Sequence, residues 1–233
     1  MSTNFYKIDP LLAKEKCRVI IWSEGTEPNH VYPSGIHGCL SEFLNRQTRI
    51  VAKAVHLDGT NQGLNETLLK PTDVLIWFGH QRHLEVQDAL VAQIVQRVSQ
   101  GMGFIALHSS HFSKPFQQLL NTRAAWQSYI EEGGPERICV VDEKHPIASH
   151  VQNFELPESE MYTEPFEVPT PMDVVFEGTW KNGETSREVM TWKKALGKIV
   201  YLRMGHESYP IYTHPSVQQI ILNAILWCHG GAQ

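Results

Sequence analysis

The chain has 233 residues, of which 42% are hydrophobic and 19% charged, so it carries enough apolar material for one large globular α/β domain and is not a disordered chain. The formal net charge is −5 and there is no run of basic residues, which argues against nucleic acid as a partner. No apolar stretch is long enough to cross a membrane, and the first residues lack an apolar signal core, so the expectation is a cytoplasmic protein.

In chain order, short β-branched runs predict strands at 17–22 (CRVIIW), 50–55 (IVAKAV), 73–78 (DVLIWF), 103–107 (GFIAL) and 198–203 (KIVYLR). They are apolar on both faces, as parallel strands covered by helices are. Helical patterns alternate with them at 36–45, 65–69, 84–98, 112–120 and 217–227. This alternation predicts a doubly wound, flavodoxin-like, mostly parallel sheet in a single domain spanning 1–233. Residues 123–192 break the rhythm with prolines, glutamates and threonines, and read as an antiparallel strand and loop insertion packed on the edge of the main sheet. Phe5, Tyr6, Leu11 and Leu12 precede the first strand and are candidates for a contact between copies in a homo-oligomer.

Cys17, Cys39, Cys139 and Cys228 lie far apart and form no CxxC pair, so reduced thiols are expected. Histidine is abundant, at 12 residues. Many of these histidines follow predicted strands, where open α/β sheets bind their ligands. His30 and His37 come after the first strand, His80 and His83 after the third, His108 and His111 after the fourth, and His206 with Glu207 after the last. Only the fold brings such distant positions to one rim.

Neutral imidazole suits zinc and similar divalent metals. His37, His83, His108 and His206 are therefore the expected metal ligands, with His30, His80 and His111 as substrate contacts. Glu24, Glu160 and Glu207 are the candidate acids and bases. The i, i+3 spacing of His80/His83 and of His108/His111 allows each pair to share one face of a helical turn. No HExxH, GxGxxG, P-loop or GxSxG motif is present. A serine nucleophile at Ser109 or Ser110, with His206 as base, remains an alternative. A non-enzymatic binding or regulatory protein is another, with Trp22, Trp77, Tyr32, Tyr209 and Tyr212 as candidate stacking residues near the rim.

Several segments together resemble the ThuA-like (trehalose utilisation) family. They are YPSGIH at 32–37, WFGHQRH at 77–83, LHSSHFSK at 107–114, EMY at 160–162, EPF at 164–166, GHE at 205–207 and YPIY at 209–212. That family is similar in fold to class I glutamine amidotransferases. The resemblance implies that His108 occupies the seat of the amidotransferase cysteine, so no thioester forms there. It implies that His206 occupies the seat of the catalytic histidine, with Ser208 where the acid partner would lie. It further implies sugar catabolism on trehalose-type disaccharides or their 3-keto derivatives. A metal-dependent isomerisation, epimerisation or glycoside cleavage is the reaction class expected from the two readings together.

Overall fold

A computed structural model describes residues 16–131 and 133–230. Phe5, Tyr6, Leu11 and Leu12 lie outside the described residues. The elements in order are β1 (Cys17–Ser23), α1 (Gly35–Leu44), β2 (Ile50–His56), α2 (Glu66–Leu69), β3 (Val74–Phe78), α3 (Asp88–Ser99), β4 (Gly103–Leu107), α4 (Lys114–Leu120), β5 (Trp126–Ile130), β6 (Glu136–Val140), β7 (Phe154–Leu156), β8 (Met161–Phe166), β9 (Asp173–Trp180), β10 (Thr185–Lys194), β11 (Gly197–Leu202) and α5 (Pro215–His229).

Nine strands form one sheet in the order β2-β1-β3-β4-β11-β10-β9-β6-β7. The first five pair in parallel, and this is the flavodoxin-like order. β10 then pairs antiparallel with β11, and β9, β6 and β7 continue antiparallel. The insertion therefore extends the main sheet by backbone hydrogen bonding, where packing on its edge was expected. β5 and β8 leave it as a separate two-stranded ribbon.

The continuous apolar runs have a simple cause. Successive side chains point to opposite faces, and both faces are covered. Ile21, Ile76, Ile105 and Val200 pack with α1 and α5 on one face. Ile20, Leu75, Phe104 and Tyr201 pack with α3 and α4 on the other. Among the described residues no helix is long and apolar enough to cross a membrane.

Two helices start later than their periodicity predicts. The helix expected from residue 84 begins at Asp88, because the preceding backbone is bonded elsewhere. The N–H groups of His80, Gln81 and Arg82 all donate to one oxygen of Glu24, and that of Gln87 donates to Gln62 Oε1. Leu84 is left 85% exposed as a result. The helix expected from residue 112 begins at Lys114, after a 3-10 turn over His108–Phe112.

Candidate functional site

β4 ends on His108, which adopts φ +48° and so turns the chain sharply out of the sheet. A histidine in the left-handed region is uncommon and is held there only by its surroundings. The neighbouring strand end makes room: a Cβ on Gly205 would collide with the Tyr212 hydroxyl and lie 2.9 Å from His108 Cβ. His108 is completely buried. Its Nδ1 lies 2.8 Å from the Arg203 carbonyl, which only accepts, so Nδ1 carries a proton. Its Nε2 lies 3.1 Å from the Tyr162 hydroxyl.

Glu160 Oε2 lies 3.0 Å from the same Nε2 and 3.8 Å from His206 Nε2. Burial pushes the Glu160 carboxyl up. The hydrogen bond and charge of His108, the charge of His206 and the Tyr162 hydroxyl outweigh that and hold it below the ordinary glutamate value. Glu160 is therefore ionised at neutral pH. Burial, then the neighbouring His108, push His206 down to about 4. His206 Nδ1 accepts the Ser208 N–H at 2.9 Å, so the proton of the neutral ring sits on Nε2 and faces Glu131 Oε1 at 3.0 Å.

Arg203 supports this centre from below. Its carbonyl orients His108, and its guanidinium donates to the Glu160 carbonyl at 2.5 Å. It is fully buried between Glu136 and Glu188 and hydrogen-bonds to both. One guanidinium cannot balance two buried carboxylates. Burial and the charge of Glu136 push Glu188 up to about 8, against the pull of Arg203, so Glu188 is protonated at neutral pH.

The remaining expected site residues form separate carboxylate–imidazole pairs along the rim. His83 Nδ1 lies 3.4 Å from Glu24 Oε1, and His80 Nδ1 lies 3.4 Å from Glu207 Oε2. His37 Nδ1 lies 3.5 Å from Glu27 Oε1, which also accepts the Ile36 N–H at 2.7 Å. Glu207 Oε1 comes within 3.8 Å of His206 Nδ1. Among the described residues, the ligand atoms of His108, Glu160 and His206 lie within 4.8 Å of one another, as do those of Glu131, His206 and Glu207. Of the four histidines expected to share a metal, His108 and His206 come together, while His37 and His83 are drawn to other carboxylates. Cys17, Asp73 and His229 also converge, at the start of β1, but burial and then Asp73 push the Cys17 thiol up to about 12 and keep it protonated.

The i, i+3 pairs do not act as pairs. His111 bonds elsewhere than His108, with Nδ1 donating to the Ala124 carbonyl at 2.6 Å, and burial pushes it down to about 3. An imidazole so fixed and so reluctant to protonate is a poor acid or base, which removes it from the expected catalytic set. His30 is exposed on the loop before α1 and takes part in none of these pairs. Glu24 is wholly buried, with one oxygen saturated by three backbone N–H groups, so it holds a loop.

The serine alternative also fails on hydrogen bonding. Ser109 Oγ donates to the Gly79 carbonyl at 2.8 Å and Ser110 Oγ to the Trp77 carbonyl at 2.9 Å, so neither proton is directed at a base. Trp22, Trp77, Tyr32 and Tyr212 are buried to within 1% and cannot stack on a sugar. The two tryptophans stack on each other, with centroids 3.7 Å apart. Sequence reasoning missed Tyr162, Arg203 and Glu131. Tyr162 stood inside the EMY segment, next but one to Glu160, and that was its only signal.

A search of curated proteins finds no match to this chain. Among solved structures, a ThuA-like protein from Bacteroides uniformis is similar over 96% of this chain and 95% of its own, at 16% identity and a TM-score of 0.68. A cytoplasmic protein from Salmonella typhimurium is similar over 90% and 98%, at 13% identity and 0.62. A glutamine amidotransferase from Thermotoga maritima is similar over 91% and 97%, at 12% identity and 0.57. At such identities the likeness is one of fold, and it shows an amidotransferase-like α/β fold. The family model described as "ThuA: Trehalose utilisation" matches residues 18–228, and the chain belongs to that family.

Proposed function

We propose that the protein is a cytoplasmic enzyme of sugar catabolism that acts on trehalose-type disaccharides or their 3-keto derivatives, at a centre built from His108, Glu160 and His206 that holds a divalent cation, zinc. The observation that carries this reading is the convergence of three ligand atoms within 4.8 Å, from the ends of β4 and β11 and the start of β8. The family description supports the sugar. Four free cysteines support a reducing compartment.

The donor set fits a borderline cation. His108 has the arrangement usual for a metal-bound imidazole, with Nδ1–H on a carbonyl and Nε2 turned inward. Glu160 is ionised and adjacent. At His206 the ligand atom would be Nε2, and Nδ1, which accepts the Ser208 N–H, would have to give up that hydrogen bond to carry the ring proton, with Glu207 Oε1 3.8 Å away. When bound, the cation supplies Lewis acidity that polarises a sugar carbonyl.

The chain's own residues do the rest. Glu207, paired with His80, stands at the edge of the centre and is placed to take a proton from a carbon or hydroxyl beside that carbonyl. The Tyr162 hydroxyl, which burial pushes well up, stays protonated and donates to the centre. Proton removal beside a carbonyl suits isomerisation, epimerisation or elimination of a glycosidic oxygen.

Metal analysis of protein purified without an affinity tag tests the reading. About one equivalent of cation is expected in the wild type and a large loss in His108→Ala and Glu160→Gln. Absence of stoichiometric metal, together with turnover of 3-keto-trehalose unaffected by chelation, sinks the cation. The centre then stands as the acid–base cluster that its hydrogen bonds describe.

A further inference from the structure

The exposed aromatic side chains of the described residues are Phe112, at 38%, and Tyr129, at 40%. They are neighbours, with ring centroids 5.8 Å apart. Phe112 ends the turn that begins at His108, and Tyr129 lies near the end of β5. Glu131 follows directly on the end of β5, and its carboxylate reaches His206.

Tyr129 is held rigidly. Its hydroxyl accepts the Trp126 N–H at 3.1 Å, which fixes the ring while the residue stays 40% exposed. Its ring meets Tyr162 edge-on at 4.8 Å, and Tyr162 stacks on His108 at 4.8 Å. Two ring spacings therefore separate the exposed shelf from the centre. His111 lies parallel to Tyr129 at 5.8 Å and touches Phe112 at 4.0 Å, so a neutral, immobile imidazole supports both rings.

We propose that Phe112 and Tyr129 form an aromatic shelf that seats one pyranose ring of a disaccharide while the other ring lies at the His108–Glu160–His206 centre. The inference rests on the carbohydrate reading above and adds to it a preference for two-ring substrates. A pyranose has an apolar C–H face that packs on an aromatic ring and a hydroxyl edge that stays in water. A preformed shelf of two rings presents that surface without ordering any side chain. Continuity with the centre argues for substrate over a protein partner, because Tyr129 meets Tyr162 and Tyr162 stacks on His108.

The test is calorimetric titration with trehalose and with glucose. Tyr129→Ala and Phe112→Ala are each expected to weaken trehalose binding by about 2- to 10-fold and to leave glucose binding unchanged. Tyr129→Phe keeps the ring and is expected to bind trehalose within about twofold of the wild type. Unchanged trehalose binding in both alanine variants overturns the shelf, while loss of glucose binding in Glu160→Gln in the same series keeps the centre. If neither sugar binds the wild type, the carbohydrate reading and the shelf fall together. A shift in oligomeric state by light scattering in the alanine variants, with sugar binding intact, makes the surface an interface between copies and also overturns the proposal.

Discussion

Two buried glutamates meet imidazoles on the same rim and are used in opposite ways. Glu24, just beyond β1, gives one oxygen to three backbone N–H groups of the 80–82 turn. Without it those donors lose their partner, so its charge is committed to the loop. Glu160, just before β8, gives its oxygen to His108, with His206 close by. Its neighbours are themselves able to gain or lose protons or ligate a cation. Identical residue types thus form a latch in one place and, in the function proposed above, a reactive centre in the other. The destination of the carboxylate's remaining hydrogen bonds decides which.

The largest expected effect lies beneath the second of these regions. Arg203→Met leaves the buried Glu136 carboxylate without its counter-charge and Glu188 without its donor, and is expected to cost about 3–5 kcal/mol in urea unfolding. Glu188→Gln mimics the protonated carboxyl and is expected to stay within about 1 kcal/mol of the wild type at pH 7. Equal losses in the two variants would show that Glu188 is ionised after all.

Next comes the latch. Glu24→Ala removes three charge-assisted hydrogen bonds and is expected to lower stability by about 3 kcal/mol. It should also speed amide exchange at residues 80–82. A stable variant with unchanged exchange would erase the contrast with Glu160.

A smaller effect depends on pH. Burial holds His111 down at about 3, and burial, against the pull of Asp173, also lowers His145. Each is neutral in the fold but takes a proton near its ordinary value once unfolded. The unfolded chain therefore binds more protons below about pH 6.5, and stability falls as pH drops through that window. The share of one histidine is about 1.4 kcal/mol per pH unit until its folded value is reached. His111→Gln should flatten the slope of stability against pH between about 6.5 and 4 by that amount. An unchanged slope would mean that His111 already protonates in the fold.

The smallest stability effect belongs to Glu160 itself. Glu160→Gln is expected to unfold within about 1 kcal/mol of the wild type, yet, under the function proposed above, to lose cation and turnover. Destabilisation as large as that of Glu24→Ala would make Glu160 a second latch.

The strands of the parallel half were legible because burial on both faces writes itself into an apolar run such as VLIWF. The starts of α3 and α4 were not, because Glu24, Gln62 and the His108 turn capture backbone that periodicity assigns to helix. The rim was legible from histidines that follow strands. Its internal pairing was not, since Glu160 and Tyr162 lie 52 and 54 residues beyond His108 and meet it only through the β5–β8 ribbon. Trp77 shows the same limit in reverse. It sits near a strand end, as a sugar-stacking residue would, but its side chain faces α3 and packs on Trp22.

By itself, then, the sequence determined a doubly wound α/β domain with a strand-rich insertion and a set of histidines at strand ends, because alternation of apolar runs and helical periods is local. Only the tertiary structure decided that His108 joins Glu160 and His206 while His37, His80 and His83 join other acids, and that Phe112 and Tyr129 stay uncovered. Those outcomes depend on which side chains meet across the sheet and on whether a backbone N–H or another side chain claims each carboxylate first.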